Sequence, residues 1–239
     1  KPLKNIDNYI NLIELKDVSI CAPEHTENIH KYSRGKVISV AGSSGYTGAC
    51  ILAVDAALTA GAGIIKVLVP KSIRNLYESY LTEAIMVPLN DDNVGTFTQV
   101  NIDTILTELL WADAVLFGPG LNTGSKAAKW MAEILKNINK PLILDASGFQ
   151  PLISNKIKID DLPQKTILTP HYSEFSLIFD LNLEKIKANP IAAVKSIIPI
   201  LNGRVLILKG PTNIIVTTKG KILLMDHGVS TLATAGTGD

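Results

Sequence analysis

Apolar residues in this chain fall into short continuous runs, separated by glycine-rich turns and by longer stretches with helical spacing. Val37-Ile38-Ser39-Val40-Ala41 is the first such run. It is short and apolar enough to read as a strand buried on both faces. Gly42-Ser43-Ser44-Gly45-Tyr46-Thr47-Gly48 follows as a turn, and 49–60 as a helix with small apolar residues on most faces. Gly61 and Gly63 end that helix, and 64–69 reads as the next strand. Strand, glycine turn, helix, strand is a βαβ unit and predicts parallel pairing. The alternation continues with a helix over 103–111, Asp103 being its N-cap. A strand over 113–117 closes on Gly118-Pro119-Gly120. A helix over 126–137, a strand over 141–145 and a short strand over 166–168 follow, the last running into Thr169-Pro170-His171. Helices are predicted over 173–179, 183–187 and 191–201. Three strand-like runs, 204–209, 213–218 and 221–225, come last, and Lys219-Gly220 joins the final two as a hairpin at a sheet edge.

Residues 1–35 are polar and mixed and read as an arm. No composition break or repeat divides the remainder. The expected fold class is α/β: one three-layer α/β/α domain over 36–239, with a mostly parallel central sheet. Its ligand-handling turns belong at the C-terminal ends of the strands.

Composition narrows the function classes. Apolar residues make up 46% of the 239 and charged residues 19%, which suits a packed core and excludes a disordered chain. A net charge of +1, with Lys and Arg scattered, excludes the clustered basic face of a nucleic-acid binder. Cys21 and Cys50 lack metal-ligand or redox spacing and read as reduced, half-buried thiols. That suits a reducing compartment, and cytoplasmic is the expected location. The most apolar stretch, 49–70, is interrupted by Asp55, Lys66 and glycines, so no membrane span is expected.

The candidate chemistry sits in turns. The sequence ends Ala235-Gly236-Thr237-Gly238-Asp239, a glycine-rich turn closed by an acid. Its uncovered backbone N–H groups suit a phosphate, and Asp239 is placed to take a proton from a substrate hydroxyl. A helix after it would add the positive end of a dipole. The expectation is therefore a chain lacking its C-terminal helix, and one also trimmed at Lys1, where no Met stands. Four strand-end turns join it. Residues 42–48 depart from GxGxxG and read equally as a nucleotide site or a tight turn. Gly118-Pro119-Gly120 reads equally as a place for a ligand to approach backbone or a plain reversal. In Thr169-Pro170-His171-Tyr172-Ser173-Glu174, Pro170 shuts the strand and Ser173 is the expected cap. His171 is a ligand contact or a surface histidine; Glu174 is a water-mediated Mg²⁺ contact or an acid complementing the helix dipole. Lys209, heading Lys209-Gly210-Pro211-Thr212-Asn213, is a point charge for a phosphate or a solvated lysine. Together these turns point to a phosphate-handling enzyme.

The same residues carry a resemblance. His30-Lys31-Tyr32-Ser33-Arg34-Gly35-Lys36, the run from Ala41 to Ala49, Gly118-Pro119-Gly120-Leu121, Leu144-Asp145-Ala146, Leu168-Thr169-Pro170-His171, Leu208-Lys209-Gly210 and the terminal turn occur in this order over 30–239. This series resembles the ADP/ATP-dependent NAD(P)H-hydrate dehydratases of the ribokinase-like superfamily. The resemblance implies a ribokinase-like fold and a repair reaction on the S epimer of hydrated NADH or NADPH. ADP or ATP phosphorylates the ring hydroxyl, phosphate is eliminated, and the normal cofactor returns. It implies that Ala49, Gly120, His171 and Asp239 contact the hydrated dinucleotide. It assigns Lys209, Gly210, Pro211, Thr212, Asn213 and Gly238 to the adenine nucleotide. The N–H groups of Gly236, Thr237 and Gly238 would face the transferred oxygens, with Asp239 as base and Mg²⁺ present. A homotetramer and a fused or separate epimerase are expected by analogy. Three places depart from the family pattern: Gly228-Val229-Ser230-Thr231-Leu232, the missing second acid in Asp145-Ala146-Ser147-Gly148-Phe149, and Thr212 preceding Asn213. Rival readings are a ribokinase-like kinase of a vitamin precursor, which would use the same terminal turn, and a non-catalytic nucleotide-binding module. The His-Lys-Tyr-Ser-Arg-Gly lead-in and the Thr-Pro-His turn favour the dehydratase.

Overall fold

The computed structural model describes residues 10–14, 16–18 and 30–226. The expectations for Cys21, for 228–232 and for Gly236, Thr237, Gly238 and Asp239 lie outside the described residues. The strands are β1 (Asn11–Leu12), β2 (Lys36–Val40), β3 (Ile64–Pro70), β4 (Ile85–Leu89), β5 (Ala114–Phe117), β6 (Leu142–Leu144), β7 (Thr166–Leu168), β8 (Val205–Leu208), β9 (Asn213–Val216) and β10 (Ile222–Met225). The helices are α1 (Thr47–Thr59), α2 (Arg74–Glu78), α3 (Ile102–Leu109), α4 (Ser125–Asn137), α5 (Gln150–Ile153), α6 (Tyr172–Phe179), α7 (Leu183–Ala188) and α8 (Pro190–Leu201). All ten strands form one sheet, ordered β1-β10-β9-β8-β7-β6-β5-β2-β3-β4.

From β4 through β8 every neighbouring pair is parallel. The continuous apolar runs explain this, since parallel strands joined by helices are covered on both faces. Along β3 the side chains alternate. Leu68 joins a large core cluster, while Ile65, Val67 and Val69 join a smaller one on the opposite face. The large cluster packs Phe117, Leu144, Leu168 and Leu206 against Met131 and Leu135 of α4, Phe175 of α6 and Ile197 of α8. The small one packs Cys50 and Val54 of α1 and Tyr77 of α2 under β2 and β3. Cys50 is wholly buried rather than half-buried. Burial pushes its thiol up to about 12, against a lowering hydrogen bond from Ser39, so it is chemically inert.

The final strands pair antiparallel, β8 with β9 and β9 with β10, which gives the expected hairpin at that end of the sheet. Two arm residues, Asn11 and Leu12, add the outermost strand beside β10. At the opposite end β4 is an additional strand. Pro88 within it argues against a strand in sequence, but an edge strand tolerates the missing N–H. The helix α3 is capped from further upstream than Asp103. Thr98 and Asn101 satisfy each other's backbone N–H groups across a preceding 3₁₀ turn. On the small-cluster face, Ile143 of β6 is 42% exposed between buried Leu142 and Leu144. Leu116 and Ile167 are its register partners. No helix among the described residues is long and apolar enough to cross a membrane.

Candidate functional site

Parallel strands place all their exits at one edge of the sheet. The exits of β2, β5, β6, β7 and β8 therefore stand side by side in sheet order, and backbone contacts fasten each to the next. Gly42 N–H donates to the Pro119 carbonyl at 2.7 Å, and the Ser43 hydroxyl donates to the Gly120 carbonyl at 2.8 Å. The exits of β2 and β5 are thus one surface. Gly120 has φ +64, and a Cβ there would overlap the Tyr46 carbonyl oxygen and stand 3.1 Å from Ala49 Cβ. Ala49 and Gly120, 71 positions apart in sequence, are neighbours. The loop after β4 braces this surface, because Ser44 N–H donates to the Gly95 carbonyl at 2.7 Å. Asp91, buried, ties that loop down by accepting from the Ser72 hydroxyl and from Gly95 N–H at 2.7 Å. Sequence reasoning missed the loop; its signal was the run of turn residues Asn90-Asp91-Asp92-Asn93-Val94-Gly95.

The next two exits meet backbone to backbone. Gly118 N–H donates to the Val40 carbonyl, and Asp145 N–H donates to the Phe117 carbonyl, each at 3.1 Å. Asp145 ends β6, is only 4% exposed, and is followed by Ala146 at φ +48. Its Oδ1 accepts from Lys209 Nζ at 2.7 Å and from Thr169 Oγ1 at 2.6 Å. Lys209, expected as a point charge for a phosphate or a solvated lysine, is ion-paired with Asp145 and keeps 25% of its side chain exposed. The physical reason is Asp145 itself. A buried carboxylate stripped of its cation costs about 3–5 kcal/mol.

His171 and Lys209 form a parallel β-bridge, and Lys209 N–H donates to the Pro170 carbonyl at 2.9 Å. The cap of α6 is His171, not Ser173. Its Nδ1 accepts from Ser173 N–H at 3.1 Å and Glu174 N–H at 3.3 Å, while Glu174 Oε2 accepts from His171 N–H at 2.9 Å. This is a capping box with an imidazole in the place of a hydroxyl. The ring stays about half exposed. Burial pushes the Glu174 carboxyl above its usual range, helped by Asp145 and opposed by the His171 N–H, the His171 ring and the Lys209 charge. A carboxyl raised on folding adds stability below its unfolded value, about 4.3, that is lost as pH rises through the folded value. Glutamine keeps the cap acceptor without the charge. Glu174→Gln is therefore expected to match or exceed the wild-type Tm by about 2 °C at neutral pH, the gap closing near pH 4. Calorimetry at the two pH values checks this, and a lower Tm at neutral pH would contradict it.

Beyond β8, Gly210 N–H donates to Asn213 Oδ1 at 3.1 Å, and the Thr212 hydroxyl donates to Asp226 Oδ1 at 2.9 Å. A Cβ on Gly210 would stand 2.8 Å from the Tyr172 ring, so Gly210 lies against the start of α6. One sheet edge thus carries Ala49 and Gly120 at one end and His171 with Lys209, Gly210, Pro211, Thr212 and Asn213 at the other, with the Asp145–Thr169–Lys209 cluster between. It is a shelf of partly exposed turns around one largely buried ion pair, suited to an extended polar ligand.

A family model described as NAD(P)H-hydrate dehydratase matches residues 37–239. The chain is 30% identical over 240 residues to a bifunctional NAD(P)H-hydrate repair enzyme of Dictyoglomus turgidum, covering 98% of this chain and 45% of that protein. A similar enzyme of Thermofilum pendens is 30% identical over 217 residues, with 91% and 41% covered. The chain thus spans less than half the length of these curated relatives. Among solved structures, a ribokinase-like superfamily protein of Enterococcus faecalis superposes with a TM-score of 0.80 at 22% identity, over 96% of this chain and 76% of its own. An ADP/ATP-dependent NAD(P)H-hydrate dehydratase of Bacillus subtilis, co-crystallised with ATP and Mg²⁺, gives 0.76 at 22% identity, over 96% and 77%. Those two likenesses establish the ribokinase-like fold.

Proposed function

The chain belongs to the NAD(P)H-hydrate dehydratase family, and from that premise we propose that it performs nicotinamide-cofactor repair. The hydrated dinucleotide, S epimer, lies across Ala49, Gly120 and His171, and the adenine nucleotide lies along Lys209 to Asn213. The observation that carries this reading is the shared edge, where residues assigned to two ligands from distant parts of the sequence stand within one row of strand exits.

In this reading the ring hydroxyl of the hydrate attacks the terminal phosphorus of ADP or ATP. The bond from that phosphorus to the rest of the nucleotide breaks, and Asp239 accepts the hydroxyl proton. The phosphate ester then loses phosphate and the reduced nicotinamide is restored. Transfer through a loose transition state leaves the protein mainly positioning and charge stabilisation. Gly236, Thr237 and Gly238 supply N–H donors, and loss of one such donor typically costs about 3–4 kcal/mol of barrier. Among the described residues no three His, Cys, Asp or Glu side chains are grouped for a metal. Magnesium would travel with the nucleotide phosphates, and Glu174, one oxygen of which accepts from His171 N–H, would meet it through a water. A cytoplasmic homotetramer working with an epimerase completes the proposal; the bifunctional names of the relatives support the epimerase.

The full protein, mixed with hydrated NADH, Mg²⁺ and ADP or ATP, is expected to restore the reduced-nicotinamide absorbance band, more efficiently with ADP. Phosphorylation of a vitamin precursor, with no recovery from either nucleotide, would move the assignment to a small-molecule kinase.

A further inference from the structure

Asp145 occupies the middle of the shelf without belonging to either ligand's expected contacts. It is fixed from two directions. Its carbonyl accepts from Gly148 N–H at 2.9 Å, and its N–H is bonded to the β5 exit. Gly118 lets that exit pass against its carbonyl with no side chain between. Its Oδ1 then reaches across β7 to both Thr169 and Lys209. The carboxylate is almost enclosed, with 6% of its side chain exposed, whereas Lys209 keeps 25%. The pair is thus a rigid anion holding a partly open cation at the head of the proposed nucleotide segment.

We propose that Asp145 is a positioning residue that fixes the Lys209 ammonium where charge develops during phosphoryl transfer. The proposal rests on the nucleotide lying along Lys209 to Asn213. Lysine is a compact charge on a flexible four-carbon stem. Untethered, it would settle on the ground-state phosphates and stabilise reactant and transition state alike, which leaves kcat unimproved. Tethered to an immobile carboxylate, its position is set by the protein before the nucleotide arrives. Such preorganisation is what lowers a barrier. The carboxylate also offsets the lysine charge and so weakens its pull on the resting nucleotide. The raised carboxyl of Glu174 feels both Lys209 and Asp145, which puts the α6 cap in the same electrostatic cluster.

The test combines Asp145→Asn, Lys209→Met and the double variant in the full protein, each first checked for native circular dichroism. Asparagine keeps the shape and removes the charge. It is expected to lower kcat about 100-fold, the scale of loss when a reacting group is misplaced by an ångström. ADP binding by calorimetry is expected to stay equal or become tighter. The double variant should turn over no slower than Lys209→Met alone, because Asp145 acts through the lysine. If Lys209→Met is too unstable to assay, the kcat and ADP affinity of Asp145→Asn alone decide. Unchanged kcat in folded Asp145→Asn overturns the proposal. So do losses that multiply in the double variant, or a weakened ADP affinity with kcat intact. Wild-type turnover of the hydrate reports separately on the repair reading, because ADP affinities compare the variants even if that substrate is wrong.

Discussion

Gly118→Ala is expected to destabilise the domain by more than about 4 kcal/mol, a large share of the 5–15 kcal/mol typical of a native protein. Two causes add. Gly118 has φ +123, a region that L-residues rarely adopt. A Cβ there would overlap the Asp145 carbonyl oxygen and lie 2.7 Å from Gly148 N and 2.9 Å from Gly148 Cα. All three are backbone atoms of a turn closed by Gly148 N–H to the Asp145 carbonyl and tied to β5 by Asp145 N–H, so none can swing aside as a side-chain tip would. Gly124→Ala is the matched control. It has φ +106, but a Cβ there meets nothing within 4 Å. It should cost only the conformational penalty, about 1–2 kcal/mol. Denaturant midpoints of the two variants decide the matter. Equal midpoints would show that the β5 and β6 exits separate readily. Gly118→Ala should also lose turnover in any folded fraction, since the displaced backbone belongs to Asp145.

Asp239→Asn is expected to reduce turnover by about 10³-fold while leaving ADP affinity within a few-fold, the scale of a lost general base. A carboxylate with an ordinary value near 4 is a weak base for an alcohol. It suffices because proton loss comes late, as the bond to phosphorus forms in a loose transition state. Asparagine preserves the size of the group and cannot take the proton. This expectation comes from the sequence, where the acid follows Gly236-Thr237-Gly238, and Asp239 lies outside the described residues. Steady-state kinetics with calorimetric binding separate the two effects. Retained turnover would remove Asp239 as the base, and lost ADP binding would make it a binding residue instead.

The parallel part of the sheet was legible because burial on both faces leaves an unmistakable mark. The strands β2, β3, β5, β6, β7 and β8 are found within one or two residues of their apolar runs. The edge strand β4 was not, since half-exposed Ile85 and Pro88 break the pattern that burial writes. Local signals also failed at helix starts. Capping preferences favour Ser, Thr, Asp and Asn, so the imidazole acceptor of His171 had no sequence cue. In the site, the turns with unusual residues were legible because glycine and proline mark backbone that must come close to something. The pairing of Lys209 with Asp145 was not. It spans 64 positions with no spacing rule between them, and only the sheet order brings the two exits close.

The cap on α6 has one further consequence, for the polarity of whatever binds there. Both N–H groups that reach His171 Nδ1 demand a lone pair, so the neutral ring must carry its hydrogen on Nε2. The other ring nitrogen of His171 then carries a donor, with Glu174 Oε1 3.5 Å from it. A carboxamide, hydroxyl or phosphate oxygen can accept from it, while an ammonium or another N–H finds no lone pair on the ring. The fold thereby selects the direction of a ligand's hydrogen bond before any ligand arrives.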